Sequence, residues 1–437
     1  MAARIVAPHP SPLPAWALPA ALCVLLAATL WLHLPLMLWD HLDLVPILDA
    51  WRHGELGASQ FWRLHDGSHF HSAAYAVLLA TSWLSGGRAW LDCVASWAFF
   101  ALMAWTLWRI VADGWRGAPV ARGWRWAMLG LIVPPGHLAN LQWGWQVAVF
   151  ISLLGAVAPI RFLTLDRPTH ALNLAGVLLA VVGVLDFSTT LGVFPVALAL
   201  IGVRNEWPWS RRLAFALPWL VAGGSMVAWL LSARGPSAPL PDTGVVALYS
   251  LNYLGGGVLR FAEDVAPWWT LLALLMAVPA TLRCRDRPQA RAWLALMAFA
   301  MGCALLTALG RAASFGPAHG FVTRYASFAL LFWIGWLGLM VLAWGDAGPA
   351  WRRWVRPLLV ATLVFAAANG VHLGKKAWTT HLRALVYAEQ IRAHYPRLDD
   401  ALLAQAYGER AAAARERLGL LRQWGFAPFD RDAAPSD

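Results

Sequence analysis

Apolar runs alternate with short polar breaks along almost the whole chain. Eleven runs, several of them short, read as membrane-crossing helices, at roughly 15–39, 89–111, 124–138, 142–160, 170–186, 189–203, 212–232, 265–282, 290–309, 320–345 and 354–373. A spanning helix needs about 20 apolar residues. A further apolar run, Ser72 to Gly87, predicts a helix that lies on the membrane or re-enters it rather than crossing. The first run lacks the charged start and small-residue cleavage site of a signal peptide, so it reads as a retained first helix.

Composition agrees with the pattern. The chain is 59% hydrophobic, and its mean hydropathy is +0.55. Its 29 tryptophans suit aromatic belts at two membrane interfaces. The net charge of +11 comes from arginines in short loops between apolar runs, which is orientation charge and gives no reason to expect a nucleic-acid partner. With the N-terminus cytoplasmic, the inner loops hold sixteen arginines and the outer loops six over more residues. Letting Ser72–Gly87 cross would invert that bias. The expected fold is therefore an all-α polytopic bundle of about eleven spans in a bacterial inner membrane. A first outer loop over 40–88 and a small helical periplasmic tail over 374–437 complete it. The alanines and arginines of 409–417 read as a solvated helix face. The four cysteines show no paired or metal-ligand spacing, so neither a disulfide framework nor a cysteine zinc site is expected.

This sorting gathers the unusual polar residues on the outer face. Asp40 and Asp43, three apart, share a face of one turn. Such a carboxylate pair can act as general base or hold a divalent cation, Mg or Mn. Asp49 reads as facing solvent or pairing with Arg52. His65, Asp66, His69 and His71 form a second cluster, able to ligate a metal or bind phosphate. The interrupted stretch Pro134–Gln146 offers the amides of Asn140, Gln142 and Gln146, suited to sugar hydroxyls or to joining helices. Asp186 could line the same cavity or cap the helix beginning near Ser188. Arg311 and Arg324, with Tyr325 beside them, stand outside in a chain whose positive charge otherwise faces inward. Arginine is the residue for gripping phosphate.

This order of features resembles the GT-C superfamily of membrane glycosyltransferases. Trp39-Asp40-His41-Leu42-Asp43 stands where that family carries an acidic motif after its first helix. Trp51-Arg52-His53-Gly54-Glu55-Leu56 looks like the end of the family's first surface helix. His65–His71 and the residues up to Arg88 look like the segment leading to the second span. The chain has no Asp-Glu dipeptide and no Pro-Pro-Leu, and its tail is small. The resemblance implies transfer of a sugar from a polyprenyl-phosphate donor to a glycan, lipid or protein acceptor. Asp40 or Asp43 would be the base. His65, His69, His71, Asn140, Gln142, Gln146, Arg311, Arg324 and Tyr325 would line the substrate site. A transporter or flippase for lipid-linked glycans, a metal- or heme-handling protein and a non-catalytic envelope assembly protein are the alternatives. Polar residues collected at one face, rather than through the midplane, favour an enzyme over a transporter.

Overall fold

The computed structural model describes residues 13–65, 69–116, 118, 120–233, 241–345 and 348–429. Asp66, counted above with the histidine cluster, lies outside them. Among the described residues the chain is helical throughout, apart from one antiparallel bridge between His65 and His69.

Six helical segments among the described residues are long and apolar enough to cross a membrane: Ala89–Gly114, Gly144–Thr164, Trp209–Ala233, Ala290–Phe315, Thr323–Gly345 and Pro349–His394. Each coincides with an expected run. The other runs form shorter helices. The first run supplies only Ala17–Trp31 before the chain turns into a 3-10 helix over Trp39–Leu44. The run at 124–138 ends as a helix at Ile132 and continues as broken turns. Ser72–Ser85 is a 14-residue apolar helix.

Helix Thr323–Gly345 is the hub, with every residue of its apolar window buried. Helix Ala290–Phe315 packs closely on it. Trp293 fills the gap, because Gly338 and Gly114 leave room for its ring and Gly335 for its carbonyl oxygen. A side chain at Gly338 would stand 2.3 Å from that indole. Such close packing of small residues against large ones replaces the hydrophobic drive that lipid tails do not supply.

The arginine loops do meet at one end of the bundle. Arg161 and Arg116 pair with Asp113, Arg291 with Glu206, and Arg283 lies over Trp351. Arg204 donates to the Leu165 carbonyl and Arg211 to that of Pro168. The histidines and Asp40 lie at the other end. Trp229, near the close of Trp209–Ala233, packs there on Phe70.

Part of the stretch left between the expected runs 212–232 and 265–282 is helical: Thr243–Leu259 is a helix capped by Asp242, whose carboxylate accepts from Gly244 and Val245. Three glycines in a row, Gly255–Gly257, let it approach Ala266, Phe321 and Ala329 closely. The helix Pro349–His394 passes 374 unbroken, over 46 residues and about 69 Å. Its distal part buries Ala377, His381, Ala384, Ala388 and Ile391, a stripe at helical spacing. That stripe, the tail helices Asp400–Tyr407 and Ala411–Gln423, and the loop helices Val45–Arg52 and Ser72–Ser85 form a second apolar core. Finally, the 409–417 arginines are not all solvated, because Arg410 and Arg417 turn into this layer.

Candidate functional site

The 3-10 turn Trp39–Leu44 places Asp40 and Asp43 on one side, since residues three apart eclipse in that geometry. Arg410 spans both carboxylates, 3.2 Å from Asp40 and 2.9 Å from Asp43. Arg417 takes the other oxygen of Asp43, and His65 Nε2 donates to Asp43 at 3.1 Å. Burial pushes the Asp43 carboxyl up, but the hydrogen bonds from His65, Arg417 and Arg410, with the Arg410 charge, outweigh it and hold the group well below the usual carboxylate range. Asp40 faces a second cation across the site, Arg324, at 3.6 Å. The positive charge that a divalent cation would bring to Asp40 and Asp43 is already supplied by guanidiniums.

The histidine cluster is built by local extended backbone. The His65 amide donates to the His69 carbonyl at 2.7 Å, closing an antiparallel bridge. Directly paired residues put their side chains on one face, and His71, two residues on, returns to it. The His65 and His71 rings stack at 5.0 Å, and the His69 ring is 5.8 Å from His65 and 4.9 Å from His71. Trp145 packs on His65 and His71, and Phe187 stacks on His69. Burial lowers His71 to about 3 and His69 well below the ordinary value, the latter helped by neighbouring His71 and His65 and by the charges of Arg311 and Arg324.

Beside this lies a buried carboxylate that sequence reasoning passed over. Asp92, in the first turn of Ala89–Gly114, accepts a short bond from the Thr81 hydroxyl and stands 3.6 Å from His41 Nε2. Gly144 makes room for it, since a side chain there would come within 2.2 Å of the Asp92 Cβ. An ionisable residue within an apolar span is a functional candidate by default, and that signal was legible. Burial drops His41 to about 3.

Arg311, Arg324 and Tyr325 enter a third group. Arg311 lies over Phe315, which stacks on His319, and His319 Nδ1 is 2.9 Å from the Tyr249 hydroxyl. Arg324 covers Tyr325, itself stacked on Tyr253. Burial, then the charges of Arg311 and Arg324, bring His319 down to about 4.

The amides sit elsewhere. Asn140 donates to Ser327, which also meets His137, and toward the Arg324 carbonyl. It thereby braces the backbone that carries Arg324. Gln142, with its nitrogen so turned, donates to the carbonyls of Leu32 and Ala377 and ties the first helix to the last. Gln146 is buried at the start of Gly144–Thr164. Asp186 accepts from the Ala74 amide at 2.8 Å, so it caps the helix Ser72–Ser85 and not the one near Ser188. Asp49 lies against His53, not Arg52, which instead covers Trp424 and Phe426. Arg410 and Arg417 were missed as site residues. Their spacing of seven on one helical run puts them on one face, which was the available signal.

Compared with protein-family models, with curated proteins and with solved structures, the chain matches none.

Proposed function

We propose that this protein is a membrane glycosyltransferase working at the histidine end of its bundle. A sugar would move from a polyprenyl-phosphate donor to a hydroxyl acceptor on a glycan, lipid or protein, on the periplasmic face of the inner membrane. The observation that carries the reading is Asp40, a partly exposed carboxylate set 3.6 Å from Arg324 and reached by Arg410. Inverting transfer needs a base for the acceptor and positive charge for the leaving group. Asp40 takes the proton from the acceptor hydroxyl. The acceptor oxygen bonds to the anomeric carbon from the face opposite the leaving group. The anomeric carbon–oxygen bond to the lipid phosphate breaks, and Arg324 and Arg311 receive its charge. Asp43, saturated by three donors, holds the site together instead of taking a proton. The shorter apolar helices, including Ala17–Trp31, His170–Val184 and Ser188–Gly202, complete a GT-C-like set of about eleven crossings in this reading.

The test replaces Asp40 with Asn, confirms insertion and folding, and compares cell-surface glycans by mass spectrometry with the parent and a deletion strain. Loss of the same glycan in the variant and the deletion supports transfer. An unchanged glycan in the variant, with loss in the deletion, removes Asp40 as base. The saturation of Asp43 favours one other reading, a non-catalytic assembly protein, for which both Asp→Asn variants would keep every glycan.

A further inference from the structure

We infer that His65, His69 and His71 form a binding site for a zinc-class divalent ion, with three imidazole ligands among the described residues. The inference stands apart from glycosyl transfer. It rests on backbone register, ring proximity and the anchoring of the rings.

The register comes first. The His65–His69 bridge and the two-residue step to His71 direct three imidazoles to one face of a short extended segment. One nitrogen from each lies within 4.8 Å of the others. A tetrahedral zinc with nitrogen ligands at about 2.1 Å separates them by about 3.4 Å, so closing on an ion asks for small ring rotations and no change of fold.

The rings are also held from behind. Metal-binding histidines commonly fix one ring nitrogen on a carboxylate or carbonyl and offer the other to the ion. His71 Nδ1 sits 3.0 Å from the Phe70 carbonyl and 3.4 Å from that of Asp186, which assigns Nε2 to the ion. His65 Nε2 is on Asp43, which assigns Nδ1. Asp43 is itself fixed by Arg410 and Arg417, so the carboxylate orienting His65 is held from the C-terminal tail. Trp145 and Phe187 wall the cluster with aromatic surface. That supplies the dry, shaped surroundings a three-ligand site needs.

Imidazole sets select zinc, copper, nickel or iron over magnesium and manganese, which prefer oxygen.

The test uses the full chain in detergent, stripped with chelator and titrated with zinc chloride by calorimetry, then with cobalt chloride by visible absorption. The expected result is about one zinc per chain and the intense absorption of low-coordinate cobalt, with zinc raising the thermal midpoint. His69→Ala and, separately, His71→Gln should lose the cobalt band and the zinc-induced shift, while eluting as monodisperse peaks. Asp43→Asn should weaken zinc about 10- to 100-fold and keep the band. Absence of zinc binding by the parent protein overturns the site. So does a cobalt spectrum or zinc stoichiometry unchanged in both histidine variants.

Discussion

Arg410 and Asp43 stand 367 positions apart and meet at 2.9 Å. One guanidinium from the tail thereby joins both loop carboxylates, and Arg417 seals the remaining oxygen of Asp43. The first loop and the end of the chain are a single unit, and the candidate site lies between them.

Arg417→Ala should loosen the tail by about 1–3 kcal/mol, the cost of removing one partner from a partly buried charged bond. Hydrogen exchange in peptides covering 411–423 should rise, while the Thr323–Gly345 helix stays protected. In a double-mutant cycle with Asp43→Asn the two changes should be clearly non-additive. Additive effects would show that the pair contributes little.

Asp40→Asn and Asp43→Asn should separate. The first should cut transfer about 10²- to 10⁴-fold, the range for loss of a general base, with a smaller drop in thermal midpoint than the second. The second should lower the midpoint, because it weakens a saturated anchor. Equal effects on activity and stability for both variants would dissolve the distinction.

Acid should destabilise the protein through His41. Its folded value is about 3, against 6.5 when unfolded. Between those values the unfolded chain binds a proton that the folded chain refuses, so stability falls as pH drops from about 6.5 toward 3. The limiting slope is about 1.4 kcal/mol per pH unit for this group. Thermal midpoints from pH 7.5 to 5 should decline less steeply in His41→Gln than in the parent. Parallel curves would clear His41 of the effect. His69 and His71 shift in the same direction, so only the difference between the two proteins is diagnostic.

Gly144→Ala should be among the most damaging conservative changes. Its new methyl would stand 2.2 Å from the Asp92 Cβ, and both atoms belong to packed helices. A loss of about 1–3 kcal/mol or more is expected, measured as a lower thermal midpoint or poor yield. Gly130→Ala, where a methyl meets nothing, is the control and should be neutral or better.

The long apolar helices were legible because nothing else explains such runs. Thr243–Leu259 was not, since Gly255–Gly257 and the polar Asn252 read as loop, whereas in the fold they buy close contact with neighbouring backbones. The end at 374 misled for a similar reason. Gly374-Lys375-Lys376 looks like a stop, yet one glycine costs a helix only about 1 kcal/mol, and the stripe from Ala377 to Ile391 repays it by burial. Asp40, Arg324 and the three histidines could be named as a group because polar residues are rare here. Their partners Arg410 and Arg417 could not, because an Ala/Arg helix looks the same whether its arginines meet water or a distant carboxylate. For Asp186, the capping role was readable and the helix it caps was not.

The unbroken helix Pro349–His394 sets a rotational phase as well as a height. Each residue advances the tail by about 100° around the axis and 1.5 Å along it. Adding a single alanine after Gly374 would swing Arg410 and Arg417 away from Asp43 while barely lifting them. Adding about eighteen would restore the angle and raise the tail about 27 Å clear of it. Of the lengths this helix could have, few bring Arg410 and Arg417 back to the first loop. Its residue count is therefore part of how the site is specified.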